Sequence, residues 1–387
     1  MTWYVSYDKL DSKQIYIRDG IVRSLDRSHW VQGYAGTGKT LILVHAMERV
    51  AADEPDASLC FITYTHALKD MVVSGLHGSV VKRIKIKTHT QFLYDRSRYD
   101  YVFLDEVQDI TPPDIEQIRK LSGSLIIAGD PEQSIYADGA SEPQILSDLK
   151  PQTWFLELIF RLTPLLRKVA MVILPTSKIV EGPMANTSAN VTIRMGAFGD
   201  EGTEAGWVWD EASKRARPGE PSVILFPTHN ALASFSFELA RQLCLDVPPS
   251  AKARDRRAHD YGPFNEFWQE NGIKLQYLGN GQGSFAIGDQ HPIVYVMTFA
   301  SAKGLDFENV FIPGMHQNAY FVNPYAMADR PGLDRRLLFV AVTRSRKNLF
   351  ITYAGNRPHR FIANLPQDAA VPVRPTVRAN NNDEDLF

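Results

Sequence analysis

Gly33-Tyr34-Ala35-Gly36-Thr37-Gly38-Lys39-Thr40 follows the spacing G-x-x-x-x-G-K-[ST], and that spacing serves phosphate binding. Glycines at Gly33, Gly36 and Gly38 let the backbone wind tightly, so that successive N–H groups face an anion at a helix N-terminus. Lys39 then reaches the β- and γ-phosphates of a nucleotide, and the Thr40 hydroxyl ligates Mg²⁺. An apolar strand candidate precedes the loop and a helix candidate follows it, which is the context the pattern needs.

A second acidic element completes such a site. In Phe103-Leu104-Asp105-Glu106-Val107-Gln108-Asp109 an acidic pair ends a buried strand. Asp105 is placed to hold the Mg²⁺ shell, and Glu106 to polarise an attacking water as general base. Alone, an acidic cluster reads as a solvated turn. After a phosphate loop, at the right strand position, it reads as the other half of an ATP-hydrolysing site.

The elements that must position these residues are short and alternate. Apolar, β-rich runs at His29–Gln32, Leu59–Thr63, Val102–Leu104, Leu125–Ala128 and Trp154–Leu158 are spaced by helical periodicity, clearest over Lys39–Ala52. Continuous apolar strands of this kind suit a parallel sheet covered on both faces. A second series begins near Arg161, with strands at Val223–Phe226, Ile293–Phe299, Val310–Ile312 and Leu349–Tyr353 and helices at Leu232–Cys244 and Arg335–Arg344. The expectation is α/β, with units at 1–160 and 161–365 and an acidic-ended disordered tail at 366–387. Two stretches, Pro175–Pro221 and Asp246–His291, are rich in Gly, Pro, Asn and charge and read as small insertions or surface loops.

Composition sets bounds on this reading. The 387 residues are too many for one core, and 44% hydrophobic with 22% charged content is that of a globular chain. No apolar run is long enough for a membrane span. Met1-Thr2-Trp3-Tyr4 lacks the pattern of a secretory signal, and two cysteines, Cys60 and Cys244, fit a reducing cytoplasmic setting. A net charge of −2 means that any nucleic-acid contact comes from a local groove.

Taken together, the motifs resemble those of superfamily 1 DNA helicases of the UvrD/Rep branch, in that family's order and over most of the chain. Leu10-Asp11-Ser12-Lys13-Gln14 resembles the adenine-reading Q motif, with Gln14 as the reader. Phe61-Ile62-Thr63-Tyr64-Thr65-His66-Ala67-Leu68 is similar to motif Ia, and Thr88-His89-Thr90-Gln91-Phe92 more loosely to motif Ib. Gly129-Asp130-Pro131-Glu132-Gln133-Ser134-Ile135-Tyr136 resembles motif III, where Gln133 senses the γ-phosphate. Phe160-Arg161 resembles motif IV, an aromatic for adenine and an arginine for the γ-phosphate. Thr298 to Phe307 looks like motif V, with Asp306 on the nucleotide, and Arg335 to Arg344 like motif VI, with Arg344 as arginine finger.

The resemblance implies two RecA-like domains of a P-loop NTPase, ATP and Mg²⁺ as cofactors, and single-stranded DNA as partner. It implies an ATP-dependent translocase or helicase moving 3′ to 5′, with Thr63, Tyr64, His66, Thr88, Tyr136 and Thr298 toward the nucleic acid. Arginine suits the two γ-phosphate positions because its charged planar fork meets phosphate oxygens bidentately. On this reading Arg161 and Arg344 approach from the domain opposite the phosphate loop.

The chain departs from the family pattern in places. No tryptophan follows Tyr136, Ala300 stands where motif V has histidine, and Leu41 follows Thr40 where arginine is usual. Residues 70–104 leave no room for a large insertion, so translocation is expected ahead of strand separation. A DNA-stimulated ATPase switch that regulates a partner such as a nuclease is the competing reading.

Two basic features stay open. Lys85 and Lys87 share one strand face and line either a phosphate path or solvent. Lys252, Arg254, Arg256 and Arg257 form a loop cluster to which a DNA role is assigned. The end, Asp383-Glu384-Asp385-Leu386-Phe387, resembles the tails of single-strand-binding proteins and reads as a partner-docking peptide or as plain disorder.

Overall fold

The computed structural model describes residues 3–76, 83–185, 187, 191–250, 252–253, 259–279, 281–322, 332–365 and 371–372. In the first part of the chain come α1 (Ser12–Val22), β1 (His29–Gly33), α2 (Lys39–Asp53), β2 (Leu59–Thr63), α3 (His66–Gly75) and β3 (Ile84–Thr88). After them follow α4 (His89–Asp95), β4 (Tyr99–Leu104), α5 (Pro112–Lys120), β5 (Ser122–Ala128), α6 (Glu142–Leu149) and β6 (Gln152–Leu156). The six strands form one parallel sheet in the order β3-β2-β4-β5-β1-β6. Because β5 lies between β1 and β4, the loops leaving the C-terminal ends of all three strands meet at one edge. Those loops carry the glycine loop, the Asp105–Glu106 pair and Gln133.

The rest is a second parallel sheet. Its elements are α7 (Pro164–Ile173), β7 (Thr192–Phe198), α8 (Glu201–Arg215), β8 (Ser222–Phe226), α9 (His229–Gln242), the ribbon strands β9 (Lys252–Ala253) and β10 (His259–Asp260), and α10 (Gly262–Glu270). Then come β11 (Leu275–Tyr277), α11 (Phe285–Gln290), β12 (Val294–Thr298), β13 (Phe307–Ile312), α12 (Leu333–Val342), β14 (Ser345–Ala354) and β15 (Val371–Pro372). The seven-stranded order is β11-β12-β8-β13-β14-β7-β15, with β9 and β10 paired apart from it.

The apolar strands are buried as expected: every residue of β2, β8 and β12 is buried. One apolar cluster runs from Leu41 and Leu68 through Ile159 and Leu162 to Leu305, Leu337 and Ile351, so the two sheets share part of their core. The region between them is therefore held by hydrophobic burial as well as by polar contacts.

Two expectations are corrected here. The stretches Pro175–Pro221 and Asp246–His291 hold more than loops: the first supplies β7 and α8 and the second α10, β11 and α11, all part of the second unit. The misleading signal in α8 is its glycines. A Cβ on Gly202 would stand 2.6 Å from Gln242 Nε2 and 2.7 Å from Arg241 Nη2, so the ends of two α9 side chains lie over this glycine and would have to shift for a larger residue. Of the tail expected to be disordered, Val371–Pro372 extends the sheet beside β7; the remainder, with Asp383 to Phe387, lies outside the described residues.

Candidate nucleotide and nucleic-acid site

The glycine loop connects β1 to α2 with Gly36 at φ +78° and Gly38 at φ +90°, a region that favours glycine. Gly36 admits no side chain without moving Arg161, and Gly38 none without displacing the end of the Gln14 side chain. A Cβ on Gly36 would lie 2.5 Å from Arg161 Cβ, and one on Gly38 would lie 2.8 Å from Gln14 Nε2. Lys39 is buried, its Nζ donating to the carbonyls of Gly33 (2.9 Å) and Tyr34 (3.0 Å). Burial pushes the ammonium below its ordinary pKa, a stress that a phosphate would relieve.

Across the loop, the Thr40 hydroxyl donates to Asp105 Oδ2 at 2.6 Å. These are two hard oxygen donors side by side, the kind of pair Mg²⁺ takes from a protein while keeping water and phosphate as its other ligands. Burial and the adjacent Glu106 carboxylate raise Asp105 to about 7. A divalent cation would offset both, so the residues fit the ion.

Glu106 adopts φ +55°, unusual for a residue with a side chain, and is buried at the tip of β4. Gln108 Nε2 donates to its Oε2 at 2.5 Å. Burial alone would raise its pKa; Lys303 and Lys39 outweigh it and hold Glu106 low. It is an ionised carboxylate facing the cleft, as a general base must be.

Gln133 is buried in the turn after β5, its Nε2 donating to Asp130 Oδ2 at 2.6 Å. Arg344, at the end of α12, is 1% exposed. Its guanidinium donates to the carbonyls of Val340 (2.8 Å) and Leu305 (3.1 Å) and to Thr343 Oγ1 (3.0 Å). Burial and the nearby Arg161 push it down to about 10.

Arg161 differs from expectation. It does not come from across the cleft but from the segment joining the sheets, packed on the glycine loop, where Phe160 N–H donates to Gly36 O at 3.0 Å. From there its Nε reaches Asp306 Oδ1 at 2.7 Å, and Arg346 Nη2 reaches Asp306 Oδ2 at 3.3 Å. Asp306 thus stands between two arginines at the cleft wall. Leu156 ends β6 beside Gly33 of β1, so the chain that leaves β6 passes the glycine loop at residue 161.

These side chains line one cleft of about 430 Å³. Gln14 closes its base end, held by Asp11: Asp11 Oδ1 accepts from Gln14 N–H (2.9 Å), Gln14 Oε1 accepts from Asp11 N–H (3.1 Å), and Gln14 Nε2 donates to Thr37 O (3.2 Å). Phe160 is 42% exposed and, with Leu41, gives the apolar walls. Trp3, Val5, Met71 and Thr163 also line the cleft, and no sequence pattern pointed to them. Trp3 is pinned by Nε1 donating to Met71 O at 2.5 Å.

On the first sheet's C-terminal edge Tyr64 stacks on His89 (4.8 Å, 14°) and lies against Tyr136 (4.8 Å, 33°). Of the other residues assigned to nucleic acid, His66 approaches Gly281 of the second unit. Thr63 is buried and donates to Thr65 O, Thr88 caps α4, and Thr298 bonds Ser301. Lys85 is exposed on the edge strand β3. Lys87 is committed to Asp95 and Tyr99. Arg254, Arg256 and Arg257 lie outside the described residues, as does the side chain of Lys252.

Lys303 is the functional candidate that sequence reasoning passed over. It sits in the loop after β12, 3% exposed, with its ammonium among oxygens of the first unit. A lysine in a glycine-containing loop reads as a surface charge, and only the packing of the two sheets buries it.

A glycine loop between a parallel strand and its helix, an acidic pair on a neighbouring strand tip and Arg344 at the facing wall define a P-loop NTPase of two RecA-like domains. Residues 80–153 match the UvrD/REP helicase N-terminal domain, and residues 268–356 match the UvrD-like helicase C-terminal domain. Two segments of the chain, in that order, thus resemble the N- and C-terminal domains of UvrD/Rep-like helicases. It is similar to DNA helicase II of Escherichia coli (strain K12), 40% identical over 95 residues, covering 21% of this chain and 13% of that protein. ATP-dependent DNA helicase Rep of Buchnera aphidicola subsp. Schizaphis graminum (strain Sg) is 39% identical over 85 residues, 19% of this chain and 13% of that one. The chain thus matches only 13% of the length of these relatives. Among solved structures, arterivirus nonstructural protein 10 (helicase) aligns with TM-score 0.40 and 15% identity, covering 86% of this chain and 61% of that one. Among the described residues no helix is long and apolar enough to cross a membrane.

Proposed function

We propose that this protein is an ATP-driven single-stranded DNA translocase or helicase, moving 3′ to 5′. The observation that carries the reading is the single cleft in which Lys39, Glu106, Gln133, Arg161 and Arg344 meet where the two RecA-like domains face each other. Its base end is suited to adenine, with Gln14 as polar reader and Phe160 and Leu41 as walls. Lys39, Arg161 and Arg344 bind and orient the triphosphate, and Thr40 and Asp105 hold Mg²⁺, which supplies neutralisation of the developing phosphate charge. Glu106 takes a proton from the attacking water.

Domain closure follows from the charge balance. Arg344 is buried and crowded by Arg161, and Asp306 and Glu106 only partly offset that stress; a γ-phosphate adds the missing negative charge, so nucleotide binding draws the domains together and hydrolysis releases them. Tyr64, His89 and Tyr136 form the stacking platform for bases on the first domain. The relatives are named as DNA helicases, which favours DNA as the strand that is tracked.

The test is ATP hydrolysis with and without single-stranded DNA, comparing wild type with Glu106→Gln. Stimulation by DNA that the substitution abolishes supports the coupled motor. Turnover indifferent to DNA removes the reading. Displacement of a bound roadblock from only one strand end then assigns polarity, and a requirement for a 5′ overhang overturns 3′ to 5′.

A further inference from the structure

Lys303 belongs to the second domain, yet the partners of its ammonium belong to the first. Nζ donates to Asp109 Oδ2 at 2.5 Å and to the backbone carbonyl of Gln133 at 2.7 Å, and lies 3.5 Å from Glu106 Oε2. The next residue, Gly304, takes φ +80°, and a Cβ there would stand 3.1 Å from Leu68 Cδ1 of α3. The loop is thus pressed onto the first domain, with its lysine inserted beyond the contact.

A buried ammonium facing two carboxylates is stable only while they are present, and they are stable only while it is. The arrangement therefore exists in the docked state of the domains and is undone by their separation. Its contact on Glu106 falls on Oε2, the oxygen that also accepts from Gln108 Nε2. A carboxylate is planar, so fixing Oε2 sets the direction of Oε1. Asp109 in turn accepts from Ile135 N–H through Oδ1 at 3.2 Å, one residue before Tyr136 of the aromatic stack. One charge from the second domain thus touches the base, the γ-phosphate sensor's backbone and the segment that leads to the nucleic-acid face.

We infer that Lys303 is a positioning residue for hydrolysis: by inserting between Asp109, Gln133 and Glu106 it aligns the general base only when the domains are docked, tying turnover to the nucleic-acid-bound arrangement. The inference rests on the proposed reading of Glu106 and of DNA stimulation.

The full chain is compared as wild type, Lys303→Met, Lys303→Arg and the double variant Lys303→Met with Asp109→Asn. Steady-state ATP hydrolysis is measured at saturating single-stranded DNA, beside binding of a non-hydrolysable ATP analogue and the melting temperature. The expected result for Lys303→Met is a kcat lower by about 100-fold, the scale of a misplaced catalytic group. KM for ATP and analogue affinity stay near wild type, and Lys303→Arg recovers part of the lost rate. The double variant regains melting temperature without regaining turnover. Recovery of turnover along with melting temperature in the double variant, or an unchanged kcat in Lys303→Met, overturns the inference and leaves Lys303 a structural cross-link. A wild type that hydrolyses ATP without DNA stimulation removes the proposed function, and this inference with it.

Discussion

Thr40 and Asp105, 65 positions apart in the chain, meet through a 2.6 Å hydrogen bond from hydroxyl to carboxylate at the mouth of the glycine loop. The contact joins the tip of β4 to the first turn of α2, and it sets side by side the two hard oxygen donors proposed above to hold Mg²⁺. Removing either ligand should act on metal use before it acts on folding.

Thr40→Val is accordingly expected to raise the Mg²⁺ concentration for half-maximal ATP hydrolysis. Outer-shell partners of bound metals are worth about 10–100-fold in affinity, and loss of a direct ligand should cost at least as much. Titrating Mg²⁺ at fixed ATP reads this; an unshifted midpoint assigns the hydroxyl to loop structure alone.

Gly36→Ala should lose stability and nucleotide binding together. A side chain in the left-handed region costs about 1–2 kcal/mol, and here its Cβ would also meet Arg161 Cβ at 2.5 Å. The clash falls on the residue that touches Asp306, so relief by moving Arg161 would disturb the cleft wall. Thermal melting and ATP-analogue binding on the same sample check it, and a normal value in either contradicts the geometry.

Arg344→Lys keeps the charge and removes the fork that engages Val340 O, Leu305 O and Thr343 Oγ1. If the residue acts as an arginine finger, kcat should fall by about 1,000-fold or more, with a smaller change in ATP affinity. Rates within tenfold of wild type would reassign Arg344 to holding the motif V loop.

Tyr64→Ala is expected to weaken single-stranded DNA binding while DNA-independent nucleotide affinity persists. Stacking contributes about 1–3 kcal/mol per base, or roughly 5–150-fold in Kd. Fluorescence anisotropy with a labelled oligonucleotide measures it. Equal affinity in the variant would remove the aromatic stack from the DNA path.

The second domain should lose stability in mild acid through His229. Burial, reinforced by the neighbouring His259, depresses its pKa to about 4, and its Nδ1 lies 2.7 Å from Tyr261 Oη. The unfolded chain takes up a proton near pH 6.5, so the unfolded state binds more protons over the window from about 6.5 down to about 4. Stability is thus full above that window and falls as pH falls through it. Melting temperature measured between pH 7 and 4.5 should decline less steeply in His229→Gln; an identical slope excludes this group.

Much of the nucleotide site was legible because it is written locally. A phosphate loop needs its glycines, lysine and threonine within eight consecutive residues, since one turn of backbone must surround one anion, and an acidic pair must end one strand. The strands β2, β8 and β12 were legible for a related reason: burial on both faces requires every residue to be apolar or small. The aromatic and arginine positions came from motifs matched in order, which assigned the residues without their geometry.

Other features are set by distance in space and leave no local mark. Gly202 weakens the helix pattern of α8, while the side chains that cover it, Gln242 and Arg241, come from α9. Arg161 was read as a residue from the far wall, whereas the pairing of β6 with β1, Leu156 beside Gly33, sets the residues just after β6 on the glycine loop. Trp3 and Met71 line the cleft because the N-terminal segment crosses α3. Lys303 reads in sequence as an ordinary surface lysine, and the docking of two sheets turns it into a buried cation 194 positions from Asp109. Covalent spacing determined which residues can bind phosphate; the burial of charge between domains, which depends on both surfaces at once, was decided only by the tertiary structure.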